Sequence, residues 1–126
     1  MGGTSEEMYG LPSDFEASQL VGCVLEYVLF SENNVVFYFS DYVYVKVESS
    51  FAYSSCREVL DIDPIRVPVR ESNVMQLLGG AIESAHASAE GTLVIRFAGG
   101  RCLAFFDDSK EYECYVIGMG EKEIIV

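Results

Sequence analysis

Apolar and polar positions alternate with a period of two over much of the chain, the pattern of half-buried β-strands. In the run 35–39, Val35, Phe37 and Phe39 share one face; in 42–48, Val43, Val45 and Val47 do the same. Leu93, Ile95 and Phe97 in 92–97 and Leu103 and Phe105 in 101–106 repeat the arrangement. These residues are the expected core. Residues 21–30 form a longer apolar, β-branched run with one charge, Glu26. Ser31-Glu-Asn-Asn34, Ser40-Asp41, Ser88-Ala-Glu-Gly91 and Gly99-Gly100 supply turn chemistry between the runs. Residues 81–87, 112–117 and 123–126 complete the predicted strands.

The pattern also recurs. Gln19-Leu-Val-Gly-Cys-Val-Leu-Glu26 matches Gln76-Leu-Leu-Gly-Gly-Ala-Ile-Glu83 at an offset of 57, and Ser31 matches Ser88. One inserted residue then aligns Val36-Phe-Tyr-Phe39 with Val94-Ile-Arg-Phe97 and Val45-Lys-Val47 with Leu103-Ala-Phe105. Without the insertion, Arg57-Glu-Val-Leu60 falls on Cys114-Tyr-Val-Ile117. The reading is one domain over 1–126, built from two copies of one unit, about 13–60 and 71–118. An extended connector at 61–70 carries Pro64 and Pro68, and 123–126 is a C-terminal strand. Residues 71–78, with Ser72 or Asn73 to cap and Gly79 to stop, predict one short helix; Ser13 or Asp14 can cap a similar turn before Val21. The expected fold is mostly β (α+β): two sequence-related antiparallel meanders packed together, with one or two short helices.

The faces opposite the core are unlike. The first carries Val36, Tyr38, Tyr42, Tyr44, Lys46 and Glu48; the second carries Val94, Arg96, Cys102, Ala104 and Phe106. Three tyrosines beside a charge pair fit a partly wet contact surface, because tyrosine joins a large ring to a polar tip.

Composition narrows the function. Half of the 126 residues are hydrophobic, which argues against disorder. Twenty acids against eight bases give a net charge of −12. Nucleic acid and anionic membrane both attract Lys and Arg, so neither is an expected partner; a basic protein is. The acids gather near the ends: residues 107–126 hold six acids and two bases, and 1–18 hold four acids and no base. Met1-Gly-Gly-Thr-Ser-Glu-Glu7 lacks a basic start and an apolar stretch, and no apolar run reaches the length of a membrane span. The expected location is the cytoplasm. There Cys23, Cys56, Cys102 and Cys114, with no Cys-x-x-Cys pair, read as reduced core residues.

Motifs of chemistry are sparse. The glycine pairs sit before or between strands rather than opening a helix, so turns account for them. His86, the only imidazole, lies between two alanines, and no nucleophile–base set follows from spacing. Asp107-Asp108 and Asp61-x-Asp63 are paired carboxylates in predicted turns, where Asp caps backbone. No catalytic residue, metal or cofactor is assigned.

Gly91, Leu93, Phe97, Gly100 and Leu103 form a Gly-x-Leu-x-x-x-Phe-x-x-Gly-x-x-Leu hairpin, preceded by Leu78-Gly79 and followed by Tyr112-Glu113. This resembles an uncharacterised bacterial family; the pattern builds fold and carries no catalytic residues. In size, acidity and lack of a reaction site the chain is similar to small acidic immunity proteins of polymorphic toxin systems. That resemblance implies a non-enzymatic cytoplasmic inhibitor that occludes the basic active-site cleft of a cognate toxin. Its expected contact residues are Tyr38, Tyr42, Tyr44, Glu48, Asp107, Asp108, Glu111 and Glu113. Exposed strand edges leave it a monomer or a homodimer. The alternatives are an acidic phage-type inhibitor or nucleic-acid mimic, and a small-molecule or scaffold module with its ligand between the sheets.

Overall fold

The structure is a computed structural model that describes residues 11–12, 15–54, 63–69, 73–108 and 114–126. Among the described residues ten strands follow in chain order: β1 (Leu25–Phe30), β2 (Val35–Phe39), β3 (Val43–Val47), β4 (Ser50–Ser54), β5 (Ile65–Arg66), β6 (Ile82–Ala87), β7 (Leu93–Phe97), β8 (Cys102–Phe105), β9 (Tyr115–Met119) and β10 (Lys122–Ile125). They form two antiparallel five-stranded sheets, ordered β1-β2-β3-β9-β10 and β5-β4-β8-β7-β6. The fold is mostly β. Among the described residues no helix is long and apolar enough to cross a membrane.

Each sheet starts as a meander, β1-β2-β3 or β6-β7-β8, and then the chain changes sheets. β4 crosses over to pair with β8, and β9 crosses back to pair with β3. The backbone bonds where the sheets meet repeat at the offset of 57. Gly22 N–H donates to the Ile82 carbonyl and Gly79 N–H to that of Leu25, both at 2.8 Å. Leu25 N–H donates to Gly80 at 3.0 Å and Ile82 N–H to Cys23 at 2.8 Å. A single bridge, Val24 with Ala81, lies between them.

Alternation decides what is inside. Val35, Phe37, Phe39, Val43, Val45, Val47, Leu93, Ile95, Phe97, Leu103 and Phe105 are all buried in one cluster. Phe37 meets Phe51 and Phe105 of the other sheet edge-on, with centroids 5.2 and 5.4 Å away. Each such pair contributes about 0.5–1.5 kcal/mol beyond its buried area.

Several details differ from the sequence reading. The two short helices are single 3₁₀ turns, Ala17–Leu20 and Val74–Leu77. Asn73 stands at the cap of the second without a side-chain bond. Gly79 takes φ +83° five residues after Val74, which leaves room for one turn only, too few residues to repay α-helix nucleation. Ser13, Asp14 and Ser72 lie outside the described residues. The connector is not wholly unpaired, since Ile65–Arg66 hydrogen-bonds to β4. β4 itself lies where the sequence reading placed no strand. It is the positional counterpart of β9: Phe51 pairs with Phe105 as Tyr115 pairs with Val47. Arg57–Leu60, the segment aligned with β9 in the sequence, lies outside the described residues. Finally, Tyr42 belongs to a turn and not to a strand. The register Phe39 with Val43 closes the hairpin over Ser40, Asp41 and Tyr42.

Candidate functional site

The outer face of sheet one is built from cross-strand rows. Tyr27 pairs with Tyr38, Tyr38 with Tyr44, Tyr44 with Gly118 and Gly118 with Glu123. Residues directly opposite on one face touch, so the row is a continuous strip of rings ending on a carboxylate. The Tyr27 and Tyr38 rings stack, with centroids 4.5 Å apart and planes 20° apart. The Tyr38 and Tyr44 centroids are 6.2 Å apart and tilted.

Two glycines shape the strip. A Cβ on Gly118 would overlap Cε2 and Cζ of Tyr44 and stand 2.6 Å from Cδ2, so the Tyr44 ring lies flat over bare backbone. Its hydroxyl donates to Glu123 Oε2. That bond first, and burial second, push the Tyr44 hydroxyl up to about 12. Gly120 N–H, in the β9–β10 turn, donates to the Tyr42 carbonyl at 3.1 Å and ties the two turns together.

Tyr42 is the most exposed ring among the described residues, at 87%. Asp41 and Tyr42 have φ 63° and 62°, the left-handed pair that a tight hairpin turn needs. The matching turn between β7 and β8 meets the same demand with Gly99 and Gly100. A bulky residue there is an outlier with a conformational cost of about 1 kcal/mol. Between this turn and the stacked pair runs an open groove of about 640 Å³ lined by Glu26, Tyr27, Tyr38, Asp41, Tyr42 and Tyr44. Glu26 reaches it because it is the extra residue of a β-bulge: the register passes from Leu25–Phe39 to Tyr27–Tyr38. The bulge also reverses the phase of the strand. Leu25 is buried, yet Tyr27, two residues on, faces outward.

A family model matches residues 17–126: the family of unknown function DUF6188. The chain belongs to this family. No curated protein and no solved structure matches it. The span matched to DUF6188 contains all ten strands, and so the whole tyrosine strip.

In this DUF6188 chain the expected contact residues fall in different places. Tyr38, Tyr42 and Tyr44 come together in the groove. Glu48 follows along β3 and pairs with Lys46 at 3.5 Å. Asp107 and Asp108 sit where the chain leaves β8 for the other sheet. Asp108 accepts hydrogen bonds from Ser49 Oγ at 2.5 Å and Ser50 Oγ at 2.7 Å, and lies 3.5 Å from Arg66. It therefore braces the β3–β4 crossover against β5. Burial alone would raise its carboxyl, but the two serine bonds and the Arg66 charge outweigh that and leave it below the usual carboxylate value. Asp107 packs against Gly91, where a Cβ would stand 2.7 Å from Oδ2. Ser49 is five residues from Tyr44, up to roughly 17 Å along extended chain, so the aspartates belong to a separate feature. Glu111 and Glu113 lie outside the described residues.

The acids that do accompany the rings are Glu26, Asp41 and Glu123, none of them expected from the sequence, and Tyr27 was missed as well. A charge inside an apolar run, directly before a tyrosine, was the available signal for the bulge. Nothing local announces Gly118 and Glu123, which arrive through the crossing of β9. Outside sheet two the surface differs. Ala52, Cys102 and Ala104 are fully buried there, with Val94 and Phe106 packed on them. His86 lies on β6 opposite Val94, away from the groove. Among the described residues no cluster of three His, Cys, Asp or Glu side chains is placed to hold a metal.

Proposed function

We propose that this chain is a non-enzymatic binding protein of the immunity type. It acts in the cytoplasm and neutralises a cognate bacterial toxin by covering the toxin's basic active-site cleft. The observation that carries this reading is the tyrosine strip of sheet one, open to solvent and bordered by Glu26, Asp41 and Glu123, on a chain of net charge −12. Rigid aromatic anchors in the centre of a contact supply affinity, while surrounding charge supplies encounter rate and selectivity. The contact set differs from the one read from sequence: Tyr27 joins Tyr38, Tyr42 and Tyr44, and groove acids take the part given to Asp107 and Asp108.

The groove volume also favours a second reading, a small-molecule module, because about 640 Å³ falls within the range of ligand clefts. Its place would be the outer face of sheet one. The space between the sheets is filled by Phe37, Phe51, Phe97 and Phe105.

The test is co-expression with a neighbouring gene product that arrests growth. The wild-type chain should restore growth and co-purify with the toxin. Tyr38→Ala with Tyr42→Ala should weaken the complex at least about thirtyfold, the scale of one central anchor. Full rescue by that double variant would remove the strip from the contact.

A further inference from the structure

We infer that the groove between the stacked Tyr27–Tyr38 pair and the Tyr42 turn receives an arginine side chain of the protein that this chain binds. The inference rests on the proposal that the partner is a basic protein, and it names what enters the site.

Three features of the groove converge on a guanidinium. Its walls are tyrosine rings, and a planar, weakly hydrated cation stacks on such faces. Among the described residues its two charged lining residues are both acids, Glu26 and Asp41, from different elements, and no Lys or Arg lines it. A guanidinium can thus stack on a ring and donate to a carboxylate at once. An ammonium can meet the charge but has no plane to stack. The third feature is the conformation of Tyr42. The equivalent hairpin uses glycine at this position, yet here a large ring is held at φ 62° and is 87% exposed. Packing within the chain does not account for a ring so exposed, whereas a contact with an entering group does; an exposed outlier of this kind points to a binding role. Sheet two has a bulge at the matching place, where the register passes from Ile82–Phe97 to Ser84–Arg96, and it sharpens the comparison. It also presents a glutamate, Glu83, but follows it with Ser84 where the first has Tyr27, opposite Arg96 where the first has Tyr38. The same backbone device thus carries a cation on sheet two and a cation-accepting surface on sheet one.

The test is nuclear magnetic resonance titration of the full chain with three blocked tripeptides, Gly-Arg-Gly, Gly-citrulline-Gly and Gly-Lys-Gly. Citrulline keeps the shape of arginine without its charge. The arginine peptide, at millimolar concentration, should shift the signals of Glu26, Tyr27, Tyr38, Asp41 and Tyr42, and the citrulline peptide should bind at least about tenfold more weakly. The lysine peptide should fall between them. Tyr42→Gly should weaken arginine binding about fivefold while keeping a dispersed spectrum, because glycine suits this turn. Tyr38→Leu should do the same from the other wall. Equal binding of citrulline, shifts centred on Asp107 and Asp108, or unchanged affinity in both variants would overturn the inference. Growth rescue separates the two proposals. Rescue that depends on the tyrosine strip without any arginine-peptide binding overturns only the arginine inference. Arginine binding without rescue by the wild-type chain overturns the immunity reading and leaves the groove's preference standing.

Discussion

Replacing Gly118 by alanine tests whether the tyrosine strip is one mechanical unit. The backbone at Gly118 is not left-handed, so space rather than φ demands glycine there. An added methyl and the Tyr44 ring cannot share their present positions, and the ring, being half-buried, is the part free to leave. Leaving costs its hydrogen bond to Glu123, about 1 kcal/mol after discounting for solvent. It also costs the ring's cover over the strand, roughly 40 Å² of apolar contact or about 1 kcal/mol. Gly118→Ala should therefore destabilise by about 2 kcal/mol. With Tyr44→Ala already in place the obstacle is gone, and the same change should stabilise by about 0.5 kcal/mol, because alanine loses less backbone freedom on folding. The two sites are thus coupled by about 2.5 kcal/mol, read from urea unfolding of the four proteins in a double-mutant cycle. A second readout comes from titration. The Tyr44 hydroxyl, raised to about 12 by Glu123 and burial, should return toward about 10 in Gly118→Ala. Its raised value stabilises the fold fully below about pH 10 and is lost as the pH climbs to about 12, so the alkaline loss attributable to Tyr44 should vanish in the variant. Additive single effects, within about 0.5 kcal/mol, would refute the idea that Gly118 exists to seat this ring.

Two further outcomes follow from the crossovers. Asp108→Asn should lower stability by about 1 kcal/mol at neutral pH, as serine and arginine donors lose a charged acceptor. Because the folded carboxyl titrates below its usual value, this advantage of the wild type is present above about pH 4 and fades below it, which unfolding midpoints at pH 7 and pH 3 would show. Tyr115→Phe keeps a fully buried ring but removes the donor 2.6 Å from the Gly91 carbonyl, and should cost about 1–2 kcal/mol in thermal or urea unfolding. Burial, with Asp107 nearby, raises the Tyr115 hydroxyl, so the wild type should also lose stability above about pH 10 more steeply than the phenylalanine variant.

The sandwich interior was legible in the sequence because strand alternation is a local property: Val35, Phe37 and Phe39 name their own inner face whatever they pair with. Gly99-Gly100 and Ser31–Asn34 were legible as turns for the same reason. What escaped was everything set by pairing over distance. Ser50–Ser54 is short and serine-bounded, and only β8 and β5 on either side make it a strand. Tyr27 escaped because the bulge at Glu26 breaks the period of two on which the reading depended. Gly118 and Glu123 escaped because they join the site from a strand that first has to cross between sheets. The tyrosines themselves were visible, but Glu26, Asp41 and Glu123 were not named beside them. A local excess of charge in 107–126 says nothing about which carboxylates the fold brings to the rings.

The two halves show how one backbone plan yields a closed face and an open one. Position by position, the outer row of sheet two runs Ser84, Arg96, Cys102 and Ser54 where sheet one runs Tyr27, Tyr38, Tyr44 and Gly118. On sheet two, Cys102, Ala104 and Ala52 are small and fully buried. On sheet one the position of Cys102 is taken by Tyr44, whose ring cannot be packed away, and Gly118 beneath it lets that ring lie flat instead of projecting. Large aromatic side chains left partly in water cost solubility. On the proposed reading, a face that keeps four of them, one in a strained turn, and borders them with carboxylates is arranged around a binding partner.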